Sequence, residues 1–400
     1  MNSLGKKLEG LVRRFRSYFV PSHYASARET KAQSVAIPEG KPLCVFDFKS
    51  IRIDNVGGRY MHHIITDFEE QGFHICFTDR FRFLATFTEK IYKKLLLKHT
   101  FSIIPPARSY PDAAVVVTDA AYSPANSAQK VIIVDYEEKL PDSSEPDAFT
   151  LPFFMHPRVH DSGQVNRLNT ADLVSKERCM KILFAGNDKY PTYDNPLLPN
   201  RYKILSRHRC LETLRQNLPP EQFFKPKAYE DLFESPHQPA FTLSSYPSCK
   251  IPQKLWLETV AMAEFYLATP GVHMPFCHNL IEALAAGSIP ILQYPQYLQP
   301  HLEHSKNCLV FDDAESLAEV VNFAMTAPAE AVAQLRKGAM QFYEDYLKPG
   351  SFSKKLLLHP SNELTLYVNA YRVPHKRKNE QETNSLFFPR LAKNSSTHYV

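Results

Sequence analysis

Glycine is scarce in this chain, with 12 among 400 residues, about 3% against a typical ~7%. Each one is therefore expected where the backbone needs positive φ or a close approach. Long apolar runs are also missing. No stretch approaches 18 uninterrupted apolar residues, so no transmembrane helix is expected. The seven cysteines form no CxxC pair. Cys44, Cys76, Cys277 and Cys308 sit in or beside apolar runs, which suits small buried hydrophobes in a reducing compartment rather than a disulfide framework or a zinc site. Neither GxGxxG nor GxxxxGK[ST] occurs, which disfavours nicotinamide chemistry and P-loop hydrolysis.

What is present describes a globular protein. Hydrophobic residues make up 44% and charged residues 22%, enough to build large cores and too apolar for a mostly disordered chain. The length suits two domains of ordinary size with tails. Residues 1–32 carry seven Lys/Arg against two Asp/Glu, and residues 372–400 carry six against two, so the body between them is net acidic. A nucleic-acid-binding core shows the opposite balance. The basic ends point to an anionic membrane surface instead.

The first twenty residues read as a basic amphipathic helix. Leu4, Leu8, Leu11, Val12, Phe15, Tyr18 and Phe19 fall on one arc, and Lys6, Lys7, Arg13, Arg14 and Arg16 occupy the rest. That is the pattern of a helix lying in a bilayer surface, which predicts a cytoplasmic protein peripheral to a membrane. A mitochondrial presequence and a helix docked on its own protein are the alternatives.

Alternation of strand and helix sets the organisation. LCVFDF (43–48), FHICFT (73–78), AAVVVTD (113–119) and KVIIVDY (130–136) read as strands, with a Gly57-Gly58 loop and a helix at about 59–71 after the first. A second unit of the same style starts at KILFAGN (181–187). It continues through EFYLATPG (264–271), SIPILQY (288–294) and NCLVFDD (307–313), with helices near 201–217, 252–263, 278–287 and 314–325. The fold class is α/β, with two doubly wound domains in tandem. The boundaries read as a basic segment at 1–35, a first domain at 40–175, a second at 180–350, a C-terminal helix at 351–371 and a polar basic tail at 372–400.

The most informative run is 264–313, EFYLATPGVHMPFCHNLIEALAAGSIPILQYPQYLQPHLEHSKNCLVFDD. A strand enters a Pro270-Gly271 turn, a helix carries Glu282, Gly287 stands as its C-cap, and Ile-Pro-Ile opens the next strand. This run resembles the nucleotide-sugar-binding half of GT-B glycosyltransferases, above all the exostosin-like and group 1 kinds. The match covers about residues 181–325, and the first half agrees in style only. The resemblance implies two Rossmann-like domains facing a cleft and transfer of a sugar from a nucleoside diphosphate to a glycan or glycolipid hydroxyl. It implies no cofactor beyond the nucleotide-sugar substrate and no bound metal. Nucleotide-sugar epimerases share the architecture, and an inactive glycan- or membrane-binding scaffold is the alternative of another class.

The same resemblance gives the site expectations. The glutamate matching Glu282 holds the donor ribose, a role a carboxylate fills by accepting from two hydroxyls. Met274 stands where broader relatives carry a second acid, and Thr269 and Asn279 stand where exostosin-like sequences have Arg. Neutralisation of the diphosphate is therefore expected from Lys189, Arg201, Lys254 and His273, with backbone N–H groups at Gly186 and Gly271. On the acceptor side, the loop NVGGRYMHH (55–63) offers Asp54, Arg59, His62 and His63, with His63 or His62 as the general base.

Overall fold

The computed structural model describes residues 12, 21–49, 52–88, 92–137, 139, 144–164, 177–233, 240–246 and 248–368. Apart from Val12, the expected basic helix at 1–20 lies outside these residues, as does the tail at 372–400. No helix among the described residues is long and apolar enough to cross a membrane.

Helix α1 (Pro21–Ala32) precedes β1 (Leu43–Asp47), whose side chains are buried after the first residue. A strand buried on both faces needs parallel neighbours on each side, and the run LCVFD supplies the apolar content for it. Helix α2 (Arg52–Glu69) returns across the sheet with Tyr60, Met61, Ile64, Ile65 and Phe68 buried, the i, i+4 spacing of a core-facing stripe. Next come β2 (His74–Thr78), β3 (Phe101–Ile104), β4 (Ala113–Thr118), β5 (Lys130–Asp135) and β6 (Ala148–Thr150).

The second unit contains β7 (Met180–Asn187), helix α3 (Arg207–Asn217), β8 (Phe223–Phe224), β9 (Phe241–Tyr246) and β10 (Ala263–Leu267). Helix α4 (His278–Ala285), β11 (Ile289–Leu292), β12 (Leu309–Val310) and helices α5 (Ala314–Thr326) and α6 (Ala329–Tyr346) complete it. Asp313 caps α5, its carboxylate accepting from Ser316 N–H at 2.9 Å, as its place before the helix predicts. The chain then returns to the first unit as α7 (Ser351–Leu358) and β13 (Glu363–Tyr367).

The described residues thus form two sheets, ordered β3–β2–β1–β4–β5–β13–β6 and β12–β11–β10–β7–β9–β8, with every strand pairing parallel. The expected tandem of two Rossmann-like units is what the chain adopts. Strand order reverses on either side of β1 in the first sheet and of β7 in the second. Ligands of open parallel sheets bind beyond the carboxyl ends of the strands at such points.

Two expectations are corrected here. The expected last helix over 362–371 is not formed at 363–367, because Glu363–Tyr367 inserts as a strand between β5 and β6, with Leu366 opposite both Val134 and Phe149, while 369–371 lie outside the described residues. The return is anchored by Asp67 of α2, which accepts from Gly350 N–H at 2.7 Å and from Ser353 N–H, while Ser353 Oγ donates to the Asp67 carbonyl at 2.7 Å. Nor is NVGGRYMHH a loop, since α2 begins at Arg52 and contains all of it. Gly58 is there for proximity: a Cβ on it would lie 2.3 Å from the backbone of Tyr92 and Lys93.

Candidate functional site

At the reversal point of the second sheet, β7 ends in Gly186-Asn187 and β10 runs on into Thr269-Pro270-Gly271. Between these two ends lies Arg207, the first residue of α3. Ser206 caps that helix, its hydroxyl accepting from Arg209 N–H at 3.2 Å. Arg207 is 5% exposed. Its Nη1 donates to the Asn187 carbonyl at 2.8 Å, and its Nη2 donates to the Pro270 carbonyl at 3.2 Å and to Cys277 Sγ at 3.5 Å. The guanidinium also lies over the Tyr193 ring, 4.1 Å from its centre. All these acceptors are neutral, and Nε has no partner. No carboxylate of the described residues pairs with it. Burying a cation without a counter-ion costs on the order of several kcal/mol, which an arriving anion would offset.

The surroundings suit an anion. Gly186 keeps the strand end bare: a Cβ there would sit between Arg207 Nη1 at 3.6 Å and Asn279 Nδ2 at 3.7 Å. Asn279 is held by the Ala185 carbonyl at 2.9 Å and the Tyr266 hydroxyl at 2.7 Å. Cys277 is the N-cap of α4, so the positive end of that helix opens at the same point. Gly271 allows the loop to fold back, because a Cβ would meet Phe276 O at 2.7 Å. Its amide is directed inward, to Pro275 O at 3.4 Å, so the N–H expected to face an anion is already engaged.

The remaining expected cations have other surroundings. Lys189 is exposed just beyond β7, and His273 is tied to Asn195 at 2.8 Å. Arg201 is exposed on the turn Leu198–Tyr202, over the Tyr202 ring at 5.5 Å. Lys254 is exposed on the turn Gln253–Leu255. Arg207, rather than any of these, is buried between the two strand ends. Arg207 follows KILFAGN in the sequence, but its lack of a counter-ion among the described residues shows only in the structure.

Glu282 lies one turn further along α4 and is 2% exposed. Both oxygens are engaged: Oε1 accepts from His156 N–H at 2.9 Å and Oε2 from the Trp256 indole N–H at 2.6 Å. Burial pushes its carboxyl up to about 7, against the opposing pull of those two donors. A ribose held by Glu282 would have to displace them. One turn back, His278 Nδ1–H donates to the Phe154 carbonyl at 2.7 Å, which leaves Nε2 to accept from Arg59 Nη1 at 3.2 Å. Burial drives its imidazole down to about 3, with Arg59 and His156 adding to the effect, so it stays neutral. His278 and Glu282, four residues apart, thus hold the connecting segment 154–156 at two backbone points.

On the first unit, the expected general bases are not open to an acceptor. His62 and His63 are both buried. His62 Nδ1 meets His99 Nε2 at 2.6 Å, and His99 Nδ1 donates to Glu69 at 2.6 Å. His63 stacks on Phe154 with ring centres 4.8 Å apart. Asp54 falls in the first turns of α2. The acids at the reversal point of the first sheet are instead Asp47 and Asp119. Buried Asp47 accepts from Arg80 Nε at 2.6 Å and Thr78 Oγ1 at 3.0 Å, while Asp119 accepts from Lys49 N–H at 2.7 Å. Asp119 closes the run AAVVVTD at its strand end. Asp47 was hidden inside an apolar run.

No family model matches the sequence, and no curated protein matches it. Among solved structures, the chain is similar to a glycosyltransferase of Rickettsia africae, at 10% identity over 80% of this chain and 100% of that one, with a TM-score of 0.42. It is similar to Anabaena HepE in complex with UDP-glucose, at 8% identity over 78% and 98% and a TM-score of 0.37. A third is WaaG, a glycosyltransferase involved in lipopolysaccharide biosynthesis, at 12% identity over 79% and 98% and a TM-score of 0.31. Likenesses of this degree leave the reading of the site to its own residues.

Proposed function

We propose that the chain is a GT-B type glycosyltransferase that takes a nucleoside-diphosphate sugar at the second sheet and moves the sugar to a hydroxyl of a glycan or glycolipid. The observation that carries this reading is Arg207, a buried guanidinium with no counter-ion among the described residues, at the reversal point of β7 and β10. It supports a diphosphate there, because Arg matches phosphate oxygens and the N-terminus of α4 adds to the field. The resemblance of residues 264–313 to nucleotide-sugar-binding sequences supports the same ligand class. In the transferase, developing charge on the departing diphosphate would fall on Arg207 and the helix end, the interactions that count most when they strengthen in the transition state. The basic segment at 1–20 would keep the enzyme at an anionic membrane surface, near a lipid-linked acceptor.

The test is a thermal-shift and calorimetry screen of the full chain against UDP, GDP, ADP and their sugar conjugates. A true donor at 100 times its dissociation constant adds about 2.7 kcal/mol of apparent stability. Arg207→Ala removes that shift. Turnover then separates the classes: a transferase consumes donor when an acceptor is supplied, an epimerase needs none, and a scaffold consumes nothing. Failure of every nucleotide to bind overturns the reading.

A further inference from the structure

Arg207 has a counterpart on the other unit. Arg59 projects from α2 of the first unit, with its guanidinium 5.3 Å from the centre of the Tyr92 ring and 5.6 Å from that of Tyr60. Its polar contact across the junction is with neutral His278. No carboxylate of the described residues pairs with it, so Arg59 is a second guanidinium without a counter-ion. The two arginines end on consecutive residues, Arg207 on Cys277 and Arg59 on His278, which form the N-cap and first residue of α4. Both guanidinium groups thus contact side chains at the N-terminus of α4, where the helix dipole adds to the positive potential. Such an arrangement is favourable when an anion with more than one negative charge lies between them.

We propose that Arg59 is a ligand of the donor diphosphate, so that the phosphate site is divided between the two units and is complete only when they meet at α4. This rests on the reading of the second sheet as a nucleotide-sugar site and adds a residue from the first unit to it. His278 is the positioning residue. Its Nδ1–H is fixed on the Phe154 carbonyl, so its Nε2 lone pair holds Arg59 at the helix end. Because Phe154 belongs to the segment joining the units, the same imidazole ties the aim of Arg59 to that joint. An anion between the arginines would then draw the first unit onto α4 through Arg59.

The test is calorimetric titration of the full chain with UDP, uridine and inorganic pyrophosphate at two salt concentrations, on wild type and on Arg59→Ala, Arg59→Met, Arg59→Lys and Arg207→Ala. Arg59→Met keeps apolar packing against the two tyrosines, and melting without ligand checks the fold of each variant. If UDP proves the wrong nucleotide, GDP and ADP with their nucleosides replace it. The expected result is a loss of about tenfold or more in diphosphate affinity for Arg59→Ala and Arg59→Met, unchanged nucleoside affinity, partial recovery in Arg59→Lys, and a weaker salt dependence in the variants. Folded Arg59 variants that bind the diphosphate as wild type does, while Arg207→Ala does not, overturn the proposal and leave the donor site standing. Wild type that binds no nucleoside diphosphate overturns both.

Discussion

Trp256 donates its indole N–H to Glu282 at 2.6 Å, and it is the sole tryptophan of the chain. The one indole is thus a built-in reporter of the one carboxylate that binds the connecting segment to α4. Because burial lifts Glu282 to about 7, its charge changes in the neutral range, where an ordinary glutamate is already ionised.

Trp256 emission is therefore expected to titrate with a midpoint near pH 7 in the full chain. Glu282→Gln should abolish that transition while leaving the chain folded. A flat emission profile between pH 5 and 9 would show that Glu282 keeps an ordinary acidity.

Stability should follow the same groups. Glu282 rises from 4.5 to about 7, and Asp67, buried under α7, rises from 3.8 to about 6. The folded state then binds more protons than the unfolded state between roughly pH 4 and 7, and stability falls as pH rises through that window. Denaturant midpoints should decline from pH 5 to pH 8. The decline should shrink in Glu282→Gln.

Gly58 approaches the backbone of Tyr92 and Lys93 too closely for any side chain. Gly58→Ala must push α2 away from that segment, and overpacking of this kind costs about 1–3 kcal/mol. Helix propensity alone would make the same change stabilising by up to about 1 kcal/mol, so the sign of the change in melting temperature decides between the two effects.

If transfer relies on arginine and a helix end to hold the leaving diphosphate, turnover should persist in excess EDTA. Loss of turnover restored by Mg²⁺ or Mn²⁺ would require a metal in the mechanism.

The architecture was legible where β-branched and apolar runs coincide with central parallel strands, as in β1, β4, β5, β7 and β11. It was illegible where the pattern is mixed. In NELTLYVNAY the apolar residues Leu364, Tyr367, Val368 and Tyr371 recur at helical spacing, yet Glu363–Tyr367 pairs on both sides as a strand. The open gap between β5 and β6 decides this, and it exists only in three dimensions. FTLSSY carries too many hydroxyls to stand out, although β9 lies beside β7. Gly57-Gly58 reads as a turn because two glycines usually break a helix, whereas here the second one makes room for a neighbouring backbone. In the candidate site, residue type pointed to α4 and to the end of β7. The rest depended on partners: Glu282 is engaged by Trp256 and His156, and Arg207 and Arg59 have no paired acid among the described residues.

The placement of β13 also orders events in time. On a ribosome, β5 and β6 emerge long before the strand that separates them, with the whole second unit made in between. At about 5–20 residues per second the first sheet waits roughly ten to forty seconds for its missing member. During that interval the facing edges of β5 and β6 expose unpaired backbone groups, the kind of edge that recruits foreign strands. The second unit can finish first, and the first unit closes last around the returning strand. A chain truncated before residue 363 should accordingly hold a protease-resistant second unit beside a sensitive first one.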